Sequence, residues 1–318
     1  MANVYAAMSG GVDSSAAALL AVRAGDRVTG VTLRLHDYGG CGSEQDAADA
    51  QAVCAALGAG HRIWDARDLF LKEVVDPFAQ SYLAGHTPNP CICCNARLKF
   101  GFLLDKALEE GAEWVITGHY ARVRQDPVSA LFQLLRARGE NDQSYMLCGL
   151  NQTILSRLLL PLGELPAKAE TRRLAEAAAL PVAKKPDSME ICFIPDGDYA
   201  AFVEARGIVP PPGNFIDPQG QVLGKHQGIH HYTLGQRRGL RFSAGKRVFV
   251  SAIDPAENTV TLAENDALLA SGCLVQRVNW VSVLPPAAPF SCTVRVRHSR
   301  VEYPALVTPR GADAQVAF

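Results

Sequence analysis

Short apolar runs alternate with longer amphipathic stretches over the first 120 residues of the chain. The runs NVYAAM, VTGVTLRL and EWVIT have the pattern of strands, and the segments SSAAALLAVRAG and EQDAADAQAVCAALG between them have the length and composition of helices. Strands that alternate with helices in this way form parallel sheets covered by helices. The pattern therefore predicts an α/β fold whose ligands bind at the carboxyl ends of the strands.

The pattern changes near residue 198. After Pro210-Pro211-Pro212-Gly213, the chain contains short β-type runs separated by Gly, Pro and Asn, namely VFVSAID, NTVTLAE, CLVQRVNWVSVL and CTVRVRH. We therefore predict three domains: a parallel-sheet domain over 1–198, a small β-rich domain over 199–268 and a domain of strands only over 269–318.

Composition and charge exclude several classes of protein. The 318 residues include 48% hydrophobic and 20% charged residues, which is ordinary for a globular protein, and the net charge of -1 lacks the positive field of a general nucleic-acid binder. No apolar stretch is long enough to span a membrane, and the N-terminus lacks the basic region of a signal peptide. An odd number of cysteines, nine, argues against a disulfide framework. We expect a cytoplasmic protein with reduced thiols.

A glycine-rich turn, Ser9-Gly10-Gly11-Val12-Asp13-Ser14-Ser15, lies between the first predicted strand and the first helix. Two glycines allow close approach of an anion, the serines add hydroxyl donors, and the helix N-terminus contributes N–H groups. The turn matches neither the P-loop nor the dinucleotide-binding pattern, which disfavours those two classes. It predicts a phosphate cradle. The alternative is a tight turn in which Asp13 or Ser14 only caps the helix.

Two stretches carry cysteines in contexts that suggest chemistry. Cys91, Cys93 and Cys94 follow a proline-stiffened loop and precede Arg97 and Lys99, and nearby cations favour a thiolate, so Cys94 is a candidate nucleophile. Cys192 follows two lysines, although on its own it resembles a core thiol. The remaining cysteines are interpreted as inert small apolar residues: Cys41, Cys54, Cys148, Cys273 and Cys292.

SGGVDSS resembles the PP-loop of ATP pyrophosphatases, which cleave ATP between the α- and β-phosphates. With TPNPxxxCN, RLKF, TGHY, DQSYML, PLGEL, KKxDS, ICFI and HYTLGQRRGL in the same order, the chain resembles the tRNA-specific 2-thiouridylases, the MnmA family, from about residue 5 to about residue 300. The resemblance implies a PP-loop domain, then a small β-rich domain and a C-terminal β-barrel-like domain.

The resemblance also implies the reaction. ATP with Mg²⁺ adenylates the C2 oxygen of the wobble uridine, position 34, of tRNA, and a protein persulfide then supplies sulfur, which yields 2-thiouridine, AMP and pyrophosphate. Cys192 would carry the persulfide, and Cys94 would act as the nucleophile that closes a transient Cys94–Cys192 disulfide. The implied partners are tRNA for Lys, Glu and Gln and a cysteine-desulfurase relay as persulfide donor, and the protein is expected to be a monomer.

Motif matching assigns further residues. Asp13 would also help to organise the metal. The residues implied for ATP binding are Ala7, Met8, Ser9, Gly10, Gly11, Val12, Asp13, Ser14, Leu33 and Gly118. Those implied for tRNA binding are Asn89, Pro90, Cys91, His119, Asn141, Asp142, Gln143, Arg297 and His298.

The chain departs from the family pattern at two places. Cys91 stands where family members often carry Asp, so Cys91, Cys94 and Cys192 are a candidate set of ligands for a [4Fe–4S] cluster, as in related tRNA-thiolating enzymes; zinc is a weaker alternative. The family's last strands have no counterpart after Val316-Ala317-Phe318, so we expect either a shortened C-terminal domain or a truncated gene, with an open β edge and weaker tRNA binding.

Two other functions compete with thiolation. One is another PP-loop adenylating ligase acting on a small molecule, although such chemistry needs no persulfide carrier. The other is a non-catalytic RNA-binding or metal-storage protein with a vestigial nucleotide fold. Pyrophosphate release that depends on added tRNA would separate the three. His230-His231 is interpreted as an exposed pair that does not bind metal.

Overall fold

A computed structural model of the chain describes residues 1–37, 42–187, 191–194, 196–207, 209–243, 245–297, 299 and 301–318. Contacts divide the chain into two compact units, each built from several segments. The first consists of Met1–Val74, Pro90–Pro195 and Asn279–Pro285, and the second of Val75–Asn89, Asp196–Val278 and Pro286–Phe318. Within the described parts of the chain, no helix is long and apolar enough to cross a membrane.

A five-stranded parallel sheet forms the centre of the first unit, in the order β3-β2-β1-β4-β7. Its strands are β1 (Asn3–Ala7), β2 (Arg27–Arg34), β3 (Gly60–Asp65), β4 (Trp114–Ile116) and β7 (Leu158–Leu159). Because β1 has β2 on one side and β4 on the other, the strand order reverses at β1, and such a switch point opens a crevice at the carboxyl ends of the strands. The predicted α/β fold class is confirmed.

Helices of the first unit pack small apolar side chains against this sheet. Helix α1 (Val12–Arg23) buries Ala16, Ala17 and Ala18, and their small size lets the helix pack closely against β1. The other helices are α2 (Glu44–Ala56), α3 (Arg67–Phe70), α5 (Pro90–Cys94), α6 (Leu103–Glu109), α7 (Gln152–Leu155) and α8 (Lys168–Ala177), with 3₁₀ turns at Ser144–Leu147 and Pro161–Glu164.

A long helical run precedes β4. α5 leads directly into a π-helical stretch, Asn95–Phe102, which leads into α6. A second π-helical stretch, Leu71–Val75, follows α3. π-helical turns are rare in proteins, and those that do occur often lie at functional sites.

A β-hairpin of β5 (Ala121–Gln125) and β6 (Phe132–Arg136) completes the first unit. The segment Asn279–Pro285 packs beside it, because Ser282 Oγ accepts a hydrogen bond from the Leu134 amide at 2.9 Å and the Asn279 side-chain amide donates to the Leu150 carbonyl at 2.7 Å.

The second unit contains two four-stranded sheets, ordered β10-β11-β8-β9 and β12-β15-β14-β13. The strands are β8 (Gly213–Ile216), β9 (Val222–His226), β10 (Phe249–Asp254), β11 (Thr259–Ala263), β12 (Gly272–Val275), β13 (Phe290–Val294), β14 (Tyr303–Arg310) and β15 (Asp313–Ala317). β15 therefore lies inside its sheet. The helices are α4 (Asp76–Leu83) and α9 (Tyr199–Glu204), with 3₁₀ turns at Ile229–His231 and Asn265–Leu268.

The prediction that His230-His231 is an exposed pair is wrong. The side chain of His230 is fully buried and that of His231 is half-buried, and their Nε2 atoms lie 2.9 and 3.2 Å from the same oxygen of Glu204. Nδ1 of His230 is buried without a hydrogen-bond partner. A metal on Nε2 would make Nδ1 a buried N–H donor with no acceptor, whereas metal-bound histidines normally donate that proton. The geometry therefore favours a carboxylate that accepts hydrogen bonds from two histidines.

Candidate functional site

The loop between β1 and α1 adopts a conformation fixed by its own side chains. Gly10 has a positive φ of 68°, and a Cβ at that position would lie 2.5 Å from the Asp46 carbonyl oxygen, so only glycine fits. Ser14 Oγ accepts a hydrogen bond from the Ser9 amide at 3.2 Å and donates one to the Gly11 carbonyl at 3.1 Å. Gly11 caps α1, so the N-terminus of that helix faces the loop.

A cavity of about 170 Å³ lies at the carboxyl ends of β1, β2 and β4. Gly118, just after β4, allows the end of that strand to pack closely against the loop before α1, because a Cβ at Gly118 would lie 2.6 Å from the Ser14 amide nitrogen. The apolar side is formed by side chains from the end of β2, and the polar side by the loop and the residues after β4. The cavity is lined by Ala7, Met8, Ser9, Asp13, Ser14, Val31, Leu33, Leu35, Gly42, Lys99, Leu103, Thr117, Gly118, His119 and Gln143.

Nine residues proposed from the sequence thus share one cavity: Ala7, Met8, Ser9, Asp13, Ser14, Leu33, Gly118, His119 and Gln143. The backbone of the same loop includes Gly10, Gly11 and Val12, which do not line it. The described cysteines and the other residues proposed for tRNA are also not among the lining residues. The cavity therefore unites the nucleotide set with two members of the tRNA set.

The carboxylate of Asp13 is held from two sides. Its Oδ1 accepts a hydrogen bond from the Tyr120 hydroxyl at 2.7 Å, and its Oδ2 lies 3.0 Å from the Lys168 ammonium. Lys168 also lies 2.7 Å from Asp187, which forms a 2.9 Å ion pair with Arg172. Burial and the neighbouring Asp13 carboxylate raise the pKa of Tyr120, so the hydroxyl keeps its proton. These contacts connect the loop to α8 and to the segment that precedes Cys192.

Lys185 connects the same segment to the other side of the loop. Its ammonium lies 3.1 Å from the Gly10 carbonyl oxygen, 2.7 Å from Asp46 and 2.6 Å from Asp49. The hydrogen bonds from Lys185 hold the pKa of Asp49 below its usual value even though burial opposes this shift. Lys185 therefore joins the loop and α2.

His119 is uncharged at neutral pH. Burial and the positive charge of Lys99 lower its pKa from 6.5 to about 3. Its Nδ1 lies 2.9 Å from Thr117 Oγ1, and its ring packs against Phe100 at 5.5 Å between centroids. A neutral imidazole at this place can exchange hydrogen bonds with a base without adding charge to the cavity.

Cys91 and Cys94 are three residues apart in α5, so they lie on the same face of that helix. Cys94 is buried, whereas Cys91 and Cys93 are exposed. Asn95 is also buried, and its side-chain amide donates to the Met146 carbonyl at 3.0 Å, which fixes the start of the π-helical stretch.

Cys192 is half-buried in a short turn that is closed by a 2.8 Å hydrogen bond from the Ile194 amide to the Ile191 carbonyl. The next residue, Phe193, is buried and packs edge-to-face on Phe70 at 5.4 Å between centroids. Ser188, Met189 and Glu190 lie outside the described residues. Both cysteines proposed for catalysis, Cys94 and Cys192, belong to the first unit and are thiols in the structure.

The other cysteines differ in exposure. Cys54 is buried, and burial raises its pKa to about 11, as expected of an inert thiol. Cys148 is exposed, and Cys273 and Cys292 are half-buried. Burial raises the pKa of Cys148 and Cys292 as well, so the interpretation of these cysteines as inert stays a prediction. Cys41 lies outside the described residues.

The remaining residues proposed for tRNA binding are distributed over both units. Asp142 accepts hydrogen bonds from the Ser144 hydroxyl and from the Ala137 amide, at 3.0 and 3.1 Å, so its side chain shapes a turn, and Asn141 beside it is exposed. Pro90 is buried in the first unit, and Asn89 belongs to the second. Arg297 is an exposed residue of the second unit. His298 lies outside the described residues.

Sequence reasoning missed several residues of this site. Tyr120, Lys168, Arg172 and Asp187 form the network around Asp13, and Lys185 holds the other side of the loop. The motifs TGHY, PLGEL and KKxDS contain these residues or lie close to them in the sequence. Nothing in the motifs indicates contact with a loop more than 100 residues earlier in the chain.

The fold and the loop define a nucleotide-binding protein of the PP-loop class. Three family profiles cover the chain: "tRNA methyl transferase HUP domain" matches residues 2–196, "tRNA methyl transferase PRC-barrel domain" residues 200–264, and "Aminomethyltransferase beta-barrel domain" residues 270–318. Curated relatives are similar to the chain over nearly its whole length. The chain belongs to the family of tRNA-specific 2-thiouridylases.

Three relatives named tRNA-specific 2-thiouridylase MnmA illustrate the similarity. The protein of Trichlorobacter lovleyi is 42% identical over 303 residues, which cover 95% of this chain and 85% of the relative. The protein of Synechococcus sp. is 42% identical over 322 residues, and the match covers 100% of this chain and 90% of the relative. The protein of Microcystis aeruginosa is 42% identical over 312 residues, and the match covers 97% of this chain and 88% of the relative.

Solved structures are more distant. The U34-tRNA thiolase NcsA from Methanococcus maripaludis, solved with its [4Fe-4S] cluster, has 22% identity and a TM-score of 0.39, and the match covers 64% of this chain and 67% of that one. A 4-thiouridine synthetase–RNA complex with bound ATP has 17% identity and a TM-score of 0.41, with 64% and 50% covered. At this level of similarity neither structure bears on the cofactors of this chain.

Proposed function

We propose that this protein is a tRNA 2-thiouridylase, a sulfurtransferase that replaces the C2 oxygen of the wobble uridine by sulfur at the expense of ATP. The observation that carries the proposal is the shared cavity, in which an anion-binding loop, Ser9–Ser14, faces a neutral imidazole, His119, and an amide, Gln143. One side suits phosphates and the other suits a base. Membership of the 2-thiouridylase family supports the same conclusion.

The first step activates the uridine. Its C2 oxygen attacks the α-phosphorus of ATP, the bond between the α-phosphorus and the bridging oxygen breaks, and pyrophosphate leaves with the electron pair. The oxygen thereby becomes part of an AMP leaving group. The loop amides and the N-terminus of α1 stabilise phosphate charge, and the apolar side at Leu33 and Leu35 accommodates adenine.

The second step transfers sulfur. The terminal sulfur of a persulfide on Cys192 attacks C2, and AMP leaves with the C2 oxygen. The thiolate of Cys94 then attacks the Cys192 sulfur, which releases the transferred sulfur as the 2-thiocarbonyl and forms the Cys94–Cys192 disulfide. External thiols reduce that disulfide. We propose that a cysteine-desulfurase relay provides the persulfide.

We assign the remaining contacts to tRNA. Asn89, Pro90, Cys91 and His119 would contact the target base, and Asn141, Asp142, Gln143, Arg297 and His298 would contact the rest of the tRNA. The acceptors are tRNAs for Lys, Glu and Gln.

Magnesium fits the donor set of the cavity. Asp13 provides the one carboxylate among the lining residues, and Mg²⁺ is commonly held by one or two carboxylates together with substrate phosphates. When bound, the ion would neutralise phosphate charge. A [4Fe–4S]-dependent version of the reaction is the alternative, supported by the shared helix face of Cys91 and Cys94. Brown colour after anaerobic purification would support it, whereas a colourless and fully active protein would exclude it.

We further propose that the chain has domains over 1–198, 199–268 and 269–318, as the boundaries of the family profiles support. The protein is proposed to act as a monomer in the cytoplasm, where its tRNA substrates reside. Size-exclusion chromatography with light scattering tests whether the protein is a monomer, and cell fractionation tests whether it lies in the cytoplasm.

The decisive experiment measures pyrophosphate release from ATP with and without an unmodified tRNA for Lys, followed by mass spectrometry of the nucleosides. We expect release that depends on tRNA, and 2-thiouridine when a persulfide donor is present. Methylated uridine in place of thiolated uridine, as the name "tRNA methyl transferase" of two family profiles would suggest, would refute the proposal. Pyrophosphate release with a small molecule and without tRNA would indicate another adenylating ligase.

A further inference from the structure

The cavity contains little positive charge for a site that binds a triphosphate. Lys99 is the only cationic side chain among its described lining residues, because His119 is neutral. Asp13 adds a negative charge, which repels phosphate. Mg²⁺ at Asp13 would offset only part of the charge of a triphosphate on the Ser9–Ser14 loop, so a protein cation beside Asp13 would stabilise the remainder.

Lys168 is placed to provide that cation. It is the first residue of α8, and its ammonium lies 3.0 Å from the Asp13 carboxylate and 2.7 Å from Asp187. An ammonium has three N–H donors, so these two carboxylates leave one donor for a ligand. The Lys168 side chain is 22% exposed, so a ligand can reach it.

The strand order indicates which part of ATP lies near Lys168. The apolar residues that suit adenine, Leu33 and Leu35, are at the end of β2, on one side of β1. Asp13 is in contact with Gly118 and Tyr120, which follow β4 on the other side of β1. The phosphates farthest from adenine therefore lie towards Asp13 and Lys168.

We propose that Lys168 binds the β- and γ-phosphates of ATP and the pyrophosphate that leaves. The inference rests on the proposed function for the identity of the nucleotide. The ammonium stabilises the negative charge that the leaving pyrophosphate gains when the bond to the α-phosphorus breaks. Asp13 and Asp187 hold the ammonium beside the loop.

The test compares K168M with K168R and with R173M, whose side chain is 76% exposed on the same helix. Binding of pyrophosphate, of α,β-methylene-ATP and of AMP is measured by calorimetry in the presence of Mg²⁺. We expect K168M to weaken binding of the first two ligands at least tenfold and binding of AMP less than threefold, because AMP lacks the β- and γ-phosphates. K168R should restore affinity to within threefold, and R173M should match the wild type.

An equal loss for all three ligands would overturn the proposal, because Lys168 would then only shape the loop. Unchanged affinities in K168M would overturn it as well. If K168M fails to fold, as judged by circular dichroism, K168Q takes its place with the same criteria. A wild-type protein that binds pyrophosphate through Lys168 but releases none in response to tRNA would leave this inference standing and refute the proposed function.

Discussion

Gly118 provides the sharpest test of the packing between the loop and β4. In G118A the new Cβ would lie 2.6 Å from the Asp13 carbonyl carbon and from the Ser14 amide nitrogen, whereas ordinary contact begins at 3.4 Å. Both neighbours are backbone atoms, so the loop and the strand end must separate by about 0.8 Å. Overpacking of this kind typically costs about 1–3 kcal/mol, and a displacement of about 1 Å at a reacting centre can reduce the rate about 100-fold.

We expect G118A to unfold several degrees below the wild type and to lose tRNA-dependent pyrophosphate release by at least tenfold. Differential scanning calorimetry and a coupled pyrophosphate assay measure the two effects. The matched control is G60A in β3 of the same sheet, where a Cβ meets nothing within 4 Å, so stability and activity should be unchanged or slightly higher. A G118A protein with wild-type stability and activity would refute the described packing.

Three further predictions concern the same unit. C192S should abolish thiolation and keep ATP affinity within about twofold, because the thiol is not among the cavity residues; calorimetry and nucleoside mass spectrometry check this, and loss of both properties would indicate misfolding. K185M should lower stability by about 1–3 kcal/mol in urea titrations, because it leaves two carboxylates without their cation, whereas K184M at the exposed neighbour should change it little. Because the folded protein lowers the pKa of His119 from 6.5 to about 3, the unfolded chain binds the proton more readily between these values, so stability falls as pH falls through this window. H119N should show a weaker pH dependence of urea stability from pH 6.5 to 4, and an unchanged slope would contradict the assigned neutral state.

The sequence allowed the fold class and the position of the glycine-rich turn at the start of α1 to be predicted, because both depend on local patterns. Alternating strands and helices determine a parallel sheet, and two glycines before a helix allow a tight turn between strand and helix. His119 could likewise be placed at a strand end because WVIT precedes it directly. These inferences required no knowledge of distant contacts.

Contacts between distant parts of the chain could not be predicted in the same way. Lys168 and Asp13 are 155 residues apart, and only the folded chain shows that they form an ion pair. His230 was expected to be exposed because polar residues usually are, yet the carboxylate of Glu204 allows it to be buried. CLVQRVNWVSVL was interpreted as one β run, but the strand ends at Val275, and Asn279 belongs to the first unit, where its side chain donates to the Leu150 carbonyl.

The π-helical stretch Asn95–Phe102 affects how the helical run presents its side chains. In a regular α-helix, Cys94 and Lys99 would be about 140° apart around the axis, since five residues at about 100° each make about 500°. With hydrogen bonds from each residue to the fifth one along, the helix turns less per residue, so the two positions lie closer together around the axis. The wider winding thus brings Lys99, which lines the cavity, towards the side of the helix on which Cys94 lies one turn earlier. Removing a single residue from this stretch would rewind it and rotate Cys94 relative to Lys99 around the helix axis.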